Sequence, residues 1–201
     1  MKYKYILFDL DGTITESGPG IMNSVEYALN KMNREVGERD TLKKFIGPPL
    51  TESMEKYYGM SEEEALLGVK YYREYYAMKG IFENSVYEGL AETLESLKNE
   101  GYILAVATSK PEEYAKRIAD KFDFAKYFAG IYGATMDGSL IRKADVIRYA
   151  LDNLGVERKN YDQVVMVGDR NNDIYGGKVE IDDKIGYLPM NTNRELSALY
   201  K

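Results

Sequence analysis

The 201-residue chain contains no histidine, no cysteine and no tryptophan. Without imidazole or thiol, a Ser-His-Asp triad, a Cys-His nucleophile, a phosphohistidine route and a cysteine-phosphatase route are all excluded. Catalytic zinc loses its usual nitrogen and sulfur ligands for the same reason. Long apolar runs are also missing, and none reaches the eighteen or so consecutive residues that cross a bilayer. Any catalysis therefore falls to carboxylates, hydroxyls, lysines, backbone amides or a hard metal ion held through oxygen. The net charge is −6, and no basic stripe of the kind that neutralises phosphates is present, so nucleic acid is not an expected partner. The opening MKYKYILFDLDG has two lysines, but its apolar run breaks at Asp9 without a small-residue cleavage site. That argues against a signal peptide and points to a soluble cytoplasmic protein.

Among what is there, YKYILF at Tyr3 to Phe8 is a short run of aromatic and branched residues that ends at Asp9. It predicts a buried strand followed by a loop. Similar runs recur at Tyr102–Ala107, Tyr127–Gly133, Gln163–Val167 and Lys184–Leu188. Between them lie helical patterns at Glu88–Glu100, at Pro111–Phe122, which opens with a proline in its first turn, and at Lys143–Leu154. This alternation predicts an α/β fold, a Rossmann-like parallel sheet with helices on both faces and right-handed crossovers. From about Ser17 to Met78 every periodic pattern is helical, bracketed by Glu16-Ser17-Gly18-Pro19-Gly20 and by the stretch from Gly80 to Gly89. The expected organisation is a core of residues 1–15 and 84–201 with an all-helical insert at 16–83. The tyrosines Tyr71, Tyr72, Tyr75 and Tyr76 have helical spacing and are expected to form a packing face with hydroxyls at its rim.

Four segments carry chemistry. Asp9-Leu10-Asp11-Gly12-Thr13 follows the first strand, and ligands of open α/β sheets bind beyond the carboxyl ends of strands. Gly168-Asp169-Arg170-Asn171-Asn172-Asp173 follows QVVMV and places two more carboxylates at such an end. Gathered together, these side chains would form an oxygen-rich negative pocket that needs a cation. Mg²⁺ suits carboxylates, retained waters and phosphate oxygens. Thr108-Ser109-Lys110-Pro111 offers hydroxyls and amides ahead of a helix, either as an anion site or as a simple cap. Lys143 opens a helix beyond Gly138, where a lone lysine is usually solvated.

In this order the segments resemble the motifs of the haloacid dehalogenase superfamily of phosphotransferases. Asp9-x-Asp11-x-Thr13 matches its first motif, Thr108 its second, Lys143 its third, and Gly168-Asp169 with Asp173 its fourth. The insert at 16–83 resembles the family's helical C1-type cap. Lys43-Lys44-Phe45-Ile46-Gly47-Pro48-Pro49-Leu50 adds similarity to the phosphoglycolate phosphatase-like branch. The resemblance implies a Mg²⁺-dependent phosphatase of small phosphomonoesters. Asp9 would attack phosphorus to give an aspartyl phosphate, and Asp11 would serve as general acid and then general base. Asp9, Asp11 through its backbone carbonyl, Asp169 and Asp173 would hold the metal, and Asp11, Gly12, Thr108, Ser109 and Lys143 would surround the phosphate. In the cap, Lys43, Lys44 and Gly47 are candidates for contacting a second anionic group on the substrate. The implied partner is a small phosphorylated metabolite, with the protein a monomer or weak homodimer. After Gly176-Gly177-Lys178 the chain looks shorter than is usual in the family, which puts the sheet edge rather than the chemistry in question.

Rival patterns fail on inspection. Gly177-Lys178 is followed by Val179, with Asn172 where a P-loop needs its first glycine, and Gly18-Pro19-Gly20 lacks the third glycine of a dinucleotide fingerprint because residue 23 is Asn. A pyrophosphatase, a 5'-nucleotidase, a phosphomutase on the same scaffold and a catalytically silent binding protein stay open as alternatives. Retention of Asp9, Asp11, Lys143 and Asp169 speaks against the silent one, since binding alone has no use for the full set.

Overall fold

A computed structural model describes residues 2–169, 173, 176–177 and 181–189. The described elements run in chain order as β1 (Tyr5–Phe8), β2 (Thr15–Glu16), α1 (Gly18–Lys31), α2 (Leu50–Tyr58), α3 (Glu62–Met78), β3 (Ser85–Val86), α4 (Leu90–Asn99), β4 (Ile103–Pro111), α5 (Glu112–Lys121), β5 (Gly130–Ala134), α6 (Lys143–Asn153), β6 (Val164–Gly168) and β7 (Gly186–Pro189), with short 3₁₀ turns between some of them. The chain divides into two units, residues 1–15 with 86–201, and residues 16–85. β2 and β3 pair as a two-stranded ribbon where the chain passes between the units.

In the first unit five strands form a sheet in the order β5-β4-β1-β6-β7, every neighbour parallel. Parallel pairing requires crossovers, and the helices between the strands supply them. β1 lies at the centre, with Ile6, Leu7 and Phe8 fully buried, which explains why its sequence reads as an unbroken apolar run. Leu7, Ala105, Ala107, Val164 and Met166 pack with Val146, Ile147, Ala150 and Leu151 of α6. Alternation sends Ile6 and Phe8 to the opposite face, where Phe8 meets Phe128 edge-on at 5.9 Å between ring centroids.

The α/β sheet is the expected one, with shifts at the strand ends. Pro111 does not sit in the first turn of a helix. It ends β4, stands at the cap of α5 with ψ 130°, and leaves Glu112 as the first helical residue. The register of β4 against β5 slips between Thr108 and Pro111, and that irregularity lets the strand continue through a residue that cannot donate to the ladder. At the run from Tyr127, a 3₁₀ turn over Ala125–Tyr127 delays β5 to Gly130.

The unit of residues 16–85 is helical. α3 starts at a capping box in which Ser61 and Glu64 satisfy each other's backbone N–H groups, and α2 stops at Gly59 in the left-handed conformation. Gly20 and Gly80 permit a close backbone approach, since a Cβ on Gly20 would stand 1.9 Å from the Gly80 carbonyl oxygen. Tyr72 and Tyr76 are buried and stack at 5.2 Å, whereas the Tyr75 hydroxyl reaches Glu83 at 2.8 Å. The tyrosine stripe is thus a packing face with polar tips. No helix among the described residues is long and apolar enough to cross a membrane.

Candidate active site

The register of the sheet assembles the site. β1 pairs Phe8 with Val106 of β4 on one side and with Val167 of β6 on the other. The segments that follow these residues, Asp9 to Thr13, Thr108 to Pro111 and Gly168 to Asp169, therefore leave the carboxyl edge side by side. A last ladder bond, from Asp9 N–H to the Val167 carbonyl at 2.9 Å, carries Asp9 up to that edge. Beyond it the chain folds into a tight loop, with Ile14 and Thr15 N–H groups both bonded to the Leu10 carbonyl at 2.9 Å and Gly12 N–H to that of Thr15 at 2.8 Å. Gly12 has φ +84°, a conformation that favours glycine.

The charged side chains here are unusually enclosed. Asp9, Lys110, Lys143 and Asp173 are buried, as are the hydroxyls Thr13 and Thr108. Lys143 Nζ lies 2.8 Å from Asp9 Oδ1 and 2.6 Å from Asp173 Oδ1. Burial works against its charge, and the carboxylates of Asp9 and Asp173 more than reverse that, so the ammonium titrates above the usual lysine range. The lysine that sequence alone would leave solvated at the first turn of α6 is thus an interior cation between two acids. Two glycines make room for this arrangement. A Cβ on Gly176 would press on the Lys143 stem at 2.9 Å, and one on Gly168 would stand 2.1 Å from Asp173 Oδ2.

Asp9, Asp169 and Asp173 each present an oxygen within 4.8 Å of the others. The Asp11 carboxylate stands outside this group and pairs instead with Lys110, Nζ to Oδ2 at 2.9 Å. The four carboxylates outnumber the ammoniums of Lys110 and Lys143, and the excess negative charge fits a hard divalent cation bound through oxygen. Gly12 completes the cradle: a Cβ there would fall 2.4 Å from Asp169 Oδ2.

The remaining expected residues have different settings. Thr108 does not cap α5; its Oγ1 accepts from the Lys110 N–H at 3.2 Å. Ser109 is exposed between buried neighbours. Lys43, Lys44 and Gly47 are exposed on the helical unit, Lys43 bridging Asp40 at 2.9 Å and Lys44 standing 5.3 Å from the centre of the Tyr57 ring. Arg170, Asn171 and Asn172 of the last motif lie outside the described residues. Two participants were not singled out from sequence. Lys110 stands two residues after Thr108, the spacing that returns a strand to the same face. Tyr187 of β7 donates to the Gly168 carbonyl at 2.8 Å, and burial, then the charges of Asp173, Asp169 and Asp9, push its hydroxyl up to about 12. Nothing local to Tyr187 signals this, because only the pairing of β7 with β6 brings it there.

The chain matches the haloacid dehalogenase-like hydrolase family over residues 6–180. It belongs to that family. This haloacid dehalogenase-like hydrolase is 40% identical over 176 residues to a 5'-nucleotidase of Pseudomonas aeruginosa, covering 88% of the chain and 78% of that protein. It is 41% identical over 172 residues to the tyrosine-protein kinase PtkA of Mycobacterium tuberculosis, across 85% of the chain and 57% of that longer protein. Among solved structures, that of a predicted phosphatase from Clostridium acetobutylicum superposes with a TM-score of 0.86 at 42% identity, over 98% of this chain and 91% of that one. The hydrolase is an enzyme of the phosphatase type.

Proposed function

We propose that the protein is a Mg²⁺-dependent phosphatase of small phosphomonoesters that works through an aspartyl phosphate on Asp9. The observation that carries this reading is the group Asp9, Asp169 and Asp173, its oxygens within 4.8 Å of one another, with the ammonium of Lys143 bound to two of its members. Asp9, Asp169, Asp173 and the backbone carbonyl of Asp11 are the residues that would hold Mg²⁺. When bound, the ion neutralises charge on the phosphoryl oxygens and on the carboxylates that face them.

A carboxylate oxygen of Asp9 attacks phosphorus, and the bond from phosphorus to the ester oxygen breaks. Asp11 delivers a proton to the departing alkoxide. Asp11, now ionised, takes a proton from water, whose oxygen attacks the same phosphorus, and the bond to Asp9 breaks to release inorganic phosphate and regenerate the carboxylate. Lys143 holds Asp9 through an ion pair at 2.8 Å. An ammonium has three N–H donors, and with two engaged by Asp9 and Asp173 the third would serve a phosphate oxygen alongside the Thr108 hydroxyl, whereas the Gly12 amide, expected from sequence to join them, is committed to the Thr15 carbonyl at 2.8 Å. Ser109, exposed beside Thr108, is a further candidate for the phosphate.

By its resemblance to the C1-type cap, the helical unit would supply substrate specificity, with Lys43, Lys44 and Gly47 as its candidate contacts. The substrate is a small phosphorylated metabolite, and the name of the Pseudomonas aeruginosa relative supports nucleoside 5'-monophosphates as strong candidates beside phosphoglycolate and pyrophosphate. A phosphate-release screen over these compounds identifies it. Asp9→Asn tests the mechanism: the variant is expected to keep its fold and lose turnover of p-nitrophenyl phosphate in Mg²⁺, and retained turnover would refute the nucleophile. EDTA is expected to stop wild-type activity and added Mg²⁺ to restore it.

A further inference from the structure

Resting on the phosphatase reading above, we infer that Lys110 is a positioning residue for the proton-transfer step, holding the Asp11 carboxylate by Oδ2 so that Oδ1 is the oxygen that serves the substrate. The pair is well enclosed: the side chains of Lys110 and Asp11 are 5% and 17% exposed, with Nζ and Oδ2 2.9 Å apart. Asp11 Oδ1, by contrast, is buried and accepts no hydrogen bond from the described residues. One oxygen of the carboxylate is thus committed to Lys110, and the other has no hydrogen bond among the described residues.

The backbone explains how a lysine comes to point inward here. The register slip between Thr108 and Pro111 leaves Ser109 exposed while Thr108 and Lys110 are both buried, and the Lys110 N–H is tied back to Thr108 Oγ1 at 3.2 Å. The stem of Lys110 therefore starts from an anchored position. Burying an ion pair brings little net stability, because desolvation offsets the attraction. What such a pair does supply is a fixed direction: a carboxylate on a short side chain at the end of a loop would otherwise rotate about χ1 and χ2 and present either oxygen. Proton transfer requires a heavy-atom approach of about 2.6–3.2 Å, so orientation enters the rate directly.

Leaving groups that differ in their need for a proton separate this role from binding or folding. An alkoxide must be protonated as it departs, whereas p-nitrophenolate leaves unaided, and kcat/KM reports the first displacement in each case. In Lys110→Met, the ratio of kcat/KM for the alkyl phosphate that wild type turns over fastest to kcat/KM for p-nitrophenyl phosphate is expected to fall about tenfold or more, part of the roughly hundred- to ten-thousand-fold that a positioned acid contributes. Lys110→Arg, which keeps a cationic donor, is expected to restore much of that ratio. If both substrates lose kcat/KM equally, Lys110 binds phosphate or supports the fold and the inference is wrong; an unchanged ratio with no loss refutes it as well. Should Lys110→Met fail to fold, as judged by thermal melting, Lys110→Gln is read by the same ratio. Asp9→Asn, assayed in parallel on p-nitrophenyl phosphate, keeps the two readings apart. If it retains activity the mechanism fails; if it is dead and the Lys110 ratio is unmoved, only the role of Lys110 fails.

Discussion

Gly12 and Asp169, 157 positions apart in the sequence, meet so closely that a Cβ on Gly12 would stand 2.4 Å from Asp169 Oδ2 and 2.7 Å from its Cγ. The contact ties the loop after β1 to the loop after β6, the two segments that supply the carboxylates. Gly12→Ala meets two penalties at once, since its φ of +84° disfavours any side chain and the added carbon displaces Asp169. Strain of about 1–3 kcal/mol is expected, read as a lower urea midpoint. The variant should also need more Mg²⁺ for half-maximal activity. A variant with wild-type stability and wild-type Mg²⁺ response would contradict the close approach.

Removing the cation between Asp9 and Asp173 has a calculable sign. Lys143→Met leaves two buried carboxylates without their ammonium, a change that costs about 3–5 kcal/mol when one partner of a buried pair is lost. Because a bound cation replaces part of the missing charge, Mg²⁺ is expected to raise the melting temperature of Lys143→Met by more than it raises that of wild type. An equal shift in both proteins would count against a shared pocket for Lys143 and the metal. Activity is expected to remain low even with Mg²⁺.

Asp169→Asn tests the metal independently of turnover. With one carboxylate of the group neutralised, the stabilisation by Mg²⁺ seen in thermal melting of the wild type should shrink or vanish, while the melting temperature without metal stays close or rises, because three acids no longer crowd one another. If Mg²⁺ stabilises the variant as strongly as wild type, Asp169 is not a ligand.

Asp137 provides a pH readout away from the carboxylate cluster. The Thr135 hydroxyl, then the Ser139 N–H and hydroxyl, hold its carboxyl down to about 2, with both Ser139 atoms within 3.0 Å of Oδ1. A carboxyl depressed on folding stabilises the native state above its unfolded value near 3.8, and that contribution is lost as pH falls through about 2. NMR titration should follow Asp137 to a midpoint near 2 in wild type and to a higher one in Ser139→Ala. A wild-type midpoint near 4 would show that the turn leading toward Lys143 is not held this way.

The cap proposal stands or falls on its lysines. Lys43→Ala with Lys44→Ala is expected to raise KM for a substrate carrying a second anionic group and to leave p-nitrophenyl phosphate almost unaffected, since both side chains are exposed and Lys43 is engaged only by the i−3 partner Asp40 among the pairs described. An unchanged kcat/KM for the preferred substrate removes these two residues from specificity.

Much of the architecture is legible in the chain because local rules agree with the tertiary outcome. Short apolar runs alternate with amphipathic helices, and YILF at the centre of the sheet reads as a buried parallel strand because both of its faces are covered. Local rules fail at Pro111, where propensity favours a first-turn proline but pairing of β4 with β5 extends the strand to that residue. They fail again at Lys143, which has no local feature to distinguish it from a solvated lysine.

Composition and motif order alone narrowed the chemistry: with no imidazole or thiol, catalysis falls to carboxylates, lysines, hydroxyls or an ion held through oxygen, and the order of the four motifs resembles the haloacid dehalogenase-like hydrolases to which the chain belongs. Which groups act together was decided only by the tertiary structure. Lys110 with Asp11, Gly12 against Asp169 and Tyr187 on the Gly168 carbonyl are long-range relations that follow from the parallel pairing of β4, β1, β6 and β7, and Lys143 reaches Asp9 and Asp173 from the first residue of α6, which packs on that sheet. A sequence records the order of side chains along the backbone, whereas ion pairs and metal sites depend on separations of a few ångströms between groups that the chain itself keeps far apart.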